Sequence, residues 1–286
     1  MKPNYTEFFD FAKEREAIRV QKANHARLPW TKDKVLQEFR FCNVFREDDK
    51  TTKWFRGEIR SPLRNDPSVL FATVAFRWFN RISTGRALLP WLTMEKEWNE
   101  DEVLWALNDI VREGRPIVTG AYVIKTPNGA PKSEGIVECL RRFRKLHEKQ
   151  ILEVASADDA TLEKVHERLM YVPYLGSFMA YEIVTDLRHT YLLRDAPDIM
   201  TWAAAGPGAA RGLGWLYNGA PAGYNYQSTK GQSECLWRMR QVLAESAIQW
   251  PMDRIWEMRE VEHTLCEYDK WKRGHDGDHL KRKYRP

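Results

Sequence analysis

A chain of 286 residues that is 43% apolar and carries twelve tryptophans can bury a large core, which excludes an intrinsically disordered protein. No stretch approaches the ~20 apolar residues of a membrane span, and the polar opening MKPNYTEFFD does not read as a signal peptide, so no membrane partner and a cytoplasmic location are expected. The four cysteines (Cys42, Cys139, Cys235, Cys266) lack metal-ligand spacing and read as reduced thiols, while the net charge of +5 is concentrated in clusters at Arg141–Lys145 and Lys281–Lys283.

In chain order, the pattern predicts a charged helix over 5–28 and a second opening near Thr31 and continuing through Phe45 toward Trp54. A third helix follows the Asp66-Pro67 start and carries LFATVAFRWFNRI, apolar around most of its circumference and therefore central. A helix is expected over 101–113. The segment Gly120–Val137, with Pro127-Asn128-Gly129 as its turn, is the one strand-like piece. Helices then dominate: 136–155, a hairpin pair, one after Gly208, one after Thr229 with a capping-box pattern to Gln232, and a last one from Pro251 to about Lys272. No repeat or low-complexity linker marks a boundary. The expected fold is mainly α, a single domain over 1–286 built as two intimate lobes with a cleft.

The hairpin occupies about 159–190. Its first helix begins near Asp159, with Ser156 and Asp158 as caps, and presents Leu162, Val165 and Leu169 on one face. Pro173 and Gly176 punctuate the turn, and Ala180, Ile183, Val184 and Leu187 resume the helical stripe. The order VPYLGSFMA resembles the hairpin of the helix-hairpin-helix DNA glycosylases, in which backbone amides at a helix N-terminus face a DNA phosphate. Tyr174 stands where that family has its first glycine, and no lysine follows Gly176. The resemblance points to Tyr174, Gly176 and Ser177, with Lys125 and Lys132, as DNA-binding residues.

Three further clusters carry chemistry. In Asn43-Val-Phe-Arg46-Glu-Asp-Asp49-Lys50-Thr-Thr-Lys53, helical spacing gathers Arg46, Asp49, Lys50 and Lys53 on one face, either a solvated ladder or a ligand site. In the segment from Asp195 to Leu213, Gly206-Pro207-Gly208 precedes a helix whose free amides favour an anion, with Arg211 on the first turn. An ordinary turn before a helix is the competing reading. Asp195 and Asp198 bracket the position at which helix-hairpin-helix glycosylases carry their catalytic aspartate, and Asp198 is the preferred one. On the last helix, Glu262 aligns with Cys266, and His263 with Glu267 and Lys270. Glu262 and His263 are adjacent and point apart, so a carboxylate–cation network is expected there and no dedicated metal.

Together FCNVFREDDKTTKW, FNRI at 79–82, GAYVIKTPNG, VPYLGSFMA, the D-x-x-x-W-x-x-x-GPGAARGL run and EHTLCEYDK resemble the α-glutamyl/putrescinyl thymine pyrophosphorylase family. That family is a branch of the helix-hairpin-helix glycosylase fold in DNA-hypermodifying bacteriophages, whose members are amino acid:DNA transferases. The resemblance covers most of 35–275. It implies double-stranded DNA bearing pyrophosphorylated 5-hydroxymethyluracil as substrate, in an infected bacterial cell, with an amino acid such as glycine, or a polyamine, displacing the pyrophosphate. The base would be flipped from the duplex. Arg46, Lys50 and Arg211, with Gly206 and Gly208, would hold the pyrophosphate. Asp198 or Glu267 would be the general base, and Cys266 a thiolate adding to the ring if pyrophosphate leaves first. Asn43, Asp49, Trp202, Glu262 and Lys270 would line the substrate pocket. No organic cofactor is implied, and a divalent cation enters only as a companion of pyrophosphate. Two other classes stay open: a glycosylase using Asp198, and a non-catalytic DNA-binding protein.

Overall fold

The structure is a computed structural model that describes residues 2–250, 253–280 and 283–284. The expectation of a mainly α fold is met. Among the described residues there is no strand, only an isolated antiparallel bridge between Phe39 and Lys283. No described helix is long and apolar enough to cross a membrane. The chain divides into two compact units, 50–198 and the discontinuous pair 1–49 with 199–286.

The unit 50–198 is organised around the helix Val69–Phe79, all eleven residues of which are buried. Its apolar circumference demands neighbours on every side. Phe71 meets Trp98 edge-on at 4.7 Å, and Phe76 stacks on Phe55 at 4.8 Å. Arg77 lies in this same buried helix. It donates to Asp186 at 2.6 Å and contacts Glu182 at 3.2 Å, while Arg60 approaches Asp186 at 3.4 Å. Each ion is thus paired where it leaves water. The hairpin helices run Leu162–Met170 and Gly176–Leu187 and pack on each other. Thr161 caps the first by accepting from Lys164 N–H, in place of the expected Ser156 or Asp158.

In the other unit, the final helix Met258–His275 packs most closely on Pro207–Asn218, with Tyr5–Ala23 and Thr229–Gln249 also against it. Phe8, Phe9, Trp256 and Tyr268 form its aromatic centre. Glycine permits the tightest of these contacts: a Cβ on Gly208 would sit 2.3 Å from Cys266 Sγ, and one on Gly212 2.2 Å from the Leu265 carbonyl.

Several expectations are corrected. The predicted helix from Thr31 to Trp54 is only Lys34–Glu38, followed by extended chain, a 3-10 turn at Arg46–Asp48, and a separate helix Lys50–Phe55. The break falls at Asp49, whose ψ of 138° is not helical, so Arg46, Asp49, Lys50 and Lys53 do not share a helix face. The strand-like segment 120–137 is irregular to Pro131 and then helical from Lys132. Pro127 and Pro131 lack ladder donors, and no described strand is present to pair with. The last helix starts at Met258, closed by a Glu257–Glu260 capping box; the expected start, Pro251, lies outside the described residues, as do Lys281 and Arg282.

Candidate functional site

Two places in the chain collect the predicted residues, one in each unit. The first is the hairpin turn of the 50–198 unit. Tyr174 and Gly176 both have φ of 69°, the left-handed region, which glycine adopts freely and tyrosine does not. The turn thus meets with a strained aromatic a backbone conformation that favours glycine. The helix from Gly176 has no side-chain cap, so its first-turn amides have no partner within the helix. His166, buried, donates from Nε2 to the Ser177 carbonyl at 3.0 Å and fixes the turn on the preceding helix. Tyr174 also lines a cavity of about 440 Å³ with Lys125, Thr126, Asn128 and Lys132. The turn is notably apolar for a surface: Tyr171 is 71% exposed and Phe178 50%. Lys132 is partly engaged, donating to the Ile124 carbonyl and Thr126 Oγ1. Its ammonium braces the loop that carries Lys125.

The second place is built within the 1–49/199–286 unit by the irregular chain leading to Asp49 and the final helix. That chain is held along its backbone. Arg15 donates to the carbonyls of Phe41 and Cys42, Glu267 accepts the Cys42 N–H at 3.0 Å, and Lys270 donates to the Arg40 carbonyl. Asp49 accepts the Asn43 N–H at 2.9 Å, which closes the turn on itself. His263, from the final helix, donates to the Asn43 carbonyl. Arg46 projects its charge onto Cys42, Asp49, Glu262 and His263 alike.

The electrostatics of this cluster are unusual. Burial lifts the Glu262 carboxyl to about 7, against the opposing pull of the Gly206 N–H and Arg46. Burial raises Asp49 as well, although Arg46 and the Asn43 amide work the other way. Burial, reinforced by the positive charges of Arg46 and Arg259, holds His263 well below the ordinary imidazole value, so it is neutral. The Cys42 thiol is pushed well up by burial and by Glu267 and Asp49. The structure thus keeps a poised carboxyl, a second shifted acid, a neutral imidazole and a guanidinium within one unit. Cys42, Asp49 and His263 can each bring a ligand atom within 4.8 Å of the others, the donor set of a transition-metal site. Helical spacing pairs His263 with Glu267 on its own helix, whereas in the structure its partners lie more than two hundred positions away.

The remaining predicted residues fall as follows. Gly206 sits at the entry of Pro207–Asn218 and donates to Glu262 Oε1 at 3.4 Å, so this helix N-terminus faces a carboxylate of the chain itself. Gly208 has a packing reason against Cys266. The Cys266 thiol is raised by burial and by Glu262, Glu267 and Asp269, which suits a packed thiol better than an attacking thiolate. Arg211 pairs with Asp269 at 2.9 Å, and Trp215 donates to the same carboxylate. Trp202 is buried. Lys50 falls in the other unit from Arg46. Asp198 accepts the N–H groups of Leu162 at 2.8 Å and Glu163 at 3.0 Å, supporting the start of the first hairpin helix. Sequence reading missed Arg15 and Glu47, the latter paired with Arg259 at 3.1 Å; only the alternation of charged with apolar residues hinted at them.

Comparison with known proteins adds a family. The family model described as "5-hmdU DNA kinase, helical domain" matches residues 2–279. A protein named "5-hmdU DNA kinase" from Bacillus phage SP10 is 26% identical over 209 residues, 66% of this chain and 32% of the relative. The chain thus spans about a third of the length of that relative. No solved structure matches.

Proposed function

The chain belongs to the family of the 5-hmdU DNA kinase helical domain, and from that premise we propose that it acts on DNA carrying a hydroxymethyluracil-derived base. Its own reaction, in this reading, is amine transfer. The amine nitrogen of an amino acid or polyamine bonds to the base's exocyclic carbon, the carbon–oxygen bond to pyrophosphate breaks, and pyrophosphate leaves with the electron pair. The proton lost by the amine goes to a carboxylate.

The observation that carries the proposal is the cluster around Glu262. A DNA-binding module has no use for a half-buried carboxyl held at about 7 whose neighbouring arginine, Arg46, also acts on a shifted aspartate. A proton acceptor poised near neutrality suits an amine nucleophile, and Arg46 suits charge growing on departing pyrophosphate. Glu262, lifted to about 7, is the carboxyl poised to take that proton, so the base is assigned to it. The hairpin, with uncapped amides and exposed aromatics, would hold the DNA backbone without reading sequence.

A second reading follows from the relative's printed name: the module presents the base to, or takes part in, phosphoryl transfer. The sequence contains no G-x-x-x-x-G-K-[ST] run, the loop that cradles nucleotide phosphates in many such enzymes. Duplex DNA with pyrophosphorylated 5-hydroxymethyluracil is incubated with glycine or putrescine, and DNA with the free hydroxymethyl base with ATP. The proposal expects free pyrophosphate and a base heavier by the amine. Phosphorylation of the hydroxymethyl group supports the second reading, an abasic site a glycosylase, and no change a binding module.

A further inference from the structure

We propose that Cys42, Asp49 and His263 form a binding site for a borderline transition-metal ion of the zinc class. Three observations converge on it. The first is geometric: one ligand atom from each side chain lies within 4.8 Å of the others. Zn–S of about 2.3 Å and Zn–N of about 2.0 Å place tetrahedral ligand atoms roughly 3.5 Å apart, a distance these side chains reach by small rotations.

The second is an orphaned atom. His263 is 9% exposed, and its Nε2 is buried without a hydrogen-bond partner. The ring donates to the Asn43 carbonyl, which leaves Nδ1 as the protonated nitrogen and Nε2 with an unused lone pair. A carbonyl fixing the far nitrogen of an imidazole is the usual support of a metal-bound histidine. A buried acceptor with nothing to accept otherwise costs stability.

The third is the frame. Cys42 and Asp49 lie on non-helical chain, which would wander were its backbone not pinned by Arg15, Glu267 and Lys270. Asp49 is oriented by the Asn43 N–H. Ligand orientation is thus set before any ion arrives. A thiolate and a carboxylate would bring two negative charges to a divalent ion, and a neutral imidazole completes a set of three, leaving a fourth position for water or substrate. Arg15, Arg46, Arg259 and Lys270 oppose a cation here, while Glu267 favours it. The site stands independently of the amine-transfer reading.

The test uses the reduced, chelator-stripped chain of 286 residues titrated with Co²⁺ and Zn²⁺, read by absorption and by bound metal per chain. One equivalent should bind, with a thiolate-to-cobalt charge-transfer band that Zn²⁺ abolishes. Cys42→Ser should remove the band, and His263→Gln should weaken binding by at least roughly 100-fold. Should His263→Gln fail to fold, as judged by circular dichroism, Asp49→Asn serves in its place with the same expectation. Absence of uptake, a band that survives Cys42→Ser, or binding seen only with added pyrophosphate overturns the proposal.

Discussion

Each unit holds a charged cluster away from water, and the two clusters do so in opposite ways. In 50–198, Arg77 and Arg60 converge on Asp186, with Glu182 beside them, and cation meets carboxylate directly in the core. In the other unit, Glu262 and Asp49 are half-buried with weaker compensation, and both resist ionisation. Matched charges hold a fold together; poorly matched ones stay chemically responsive. On the proposed function, chemistry belongs to the Asn43–His263 region and the Arg77 network to architecture.

The largest expected effect breaks the responsive side. Glu262→Gln keeps the shape but cannot take a proton, so single-turnover transfer should fall ~10²–10⁴-fold while DNA affinity is unchanged. The wild-type rate should rise with pH through about 7 as Glu262 ionises, and the variant should lose that rise. Arg46→Ala should cost ~10²–10³ in turnover, and pyrophosphate-bearing DNA should lose affinity relative to plain DNA.

Arg77→Ala breaks the matched side. It removes the Arg77 contacts of Asp186 and Glu182 in the core, leaving Arg60 beside Asp186, and should destabilise the protein by about 3 kcal/mol, read by urea unfolding. At equal folded concentration its transfer rate should be near wild type. A rate loss beyond the unfolded fraction would dissolve the contrast.

A smaller effect is pH-dependent stability. Burial raises Glu260 and Glu262 from an ordinary 4.5 to about 7. The folded state therefore holds these protons more tightly than the unfolded chain. The resulting stability is fully present below about pH 4.5 and is lost as pH rises through 7, on the order of 3 kcal/mol for buried Glu260 and less for half-buried Glu262, which water screens. Glu262→Gln should flatten its share of that loss in thermal melts run across this window.

The smallest effect sharpens the hairpin's role. Tyr174→Gly relieves a left-handed tyrosine and should stabilise the protein by about 1 kcal/mol. If the ring stacks on nucleic acid, the same change weakens DNA binding, so stability and affinity move in opposite directions.

What was legible in the sequence was what local pattern encodes. The buried helix at Val69–Phe79 and the hairpin, with helices at Leu162–Met170 and Gly176–Leu187, follow from periodicity and Pro/Gly punctuation. Asn43, Arg46, Asp49, Glu262, Glu267 and Lys270 were all singled out, and the fold gathers them in one unit. Lys50 was misgrouped because the chain breaks at Asp49, where no proline or glycine announces it. The pairing of His263 with Cys42 and Asp49 was not legible, because spacing within one helix says nothing of a partner two hundred residues earlier. Gly208 was read as an anion cradle. That a Cβ there would strike Cys266 depends on how closely two helices approach, which sequence does not state.

The most direct test of the division of labour is the single-turnover rate at saturating DNA for two variants, Glu262→Gln and Gly176→Val. Gly176 has φ of 69°, so valine strains the turn and should weaken binding to all DNA sequences alike. Saturation should then restore the Gly176→Val rate to that of wild type, while Glu262→Gln stays slow at every DNA concentration. A Gly176→Val rate that stays low at saturation, or a Glu262→Gln rate equal to wild type, would contradict the account.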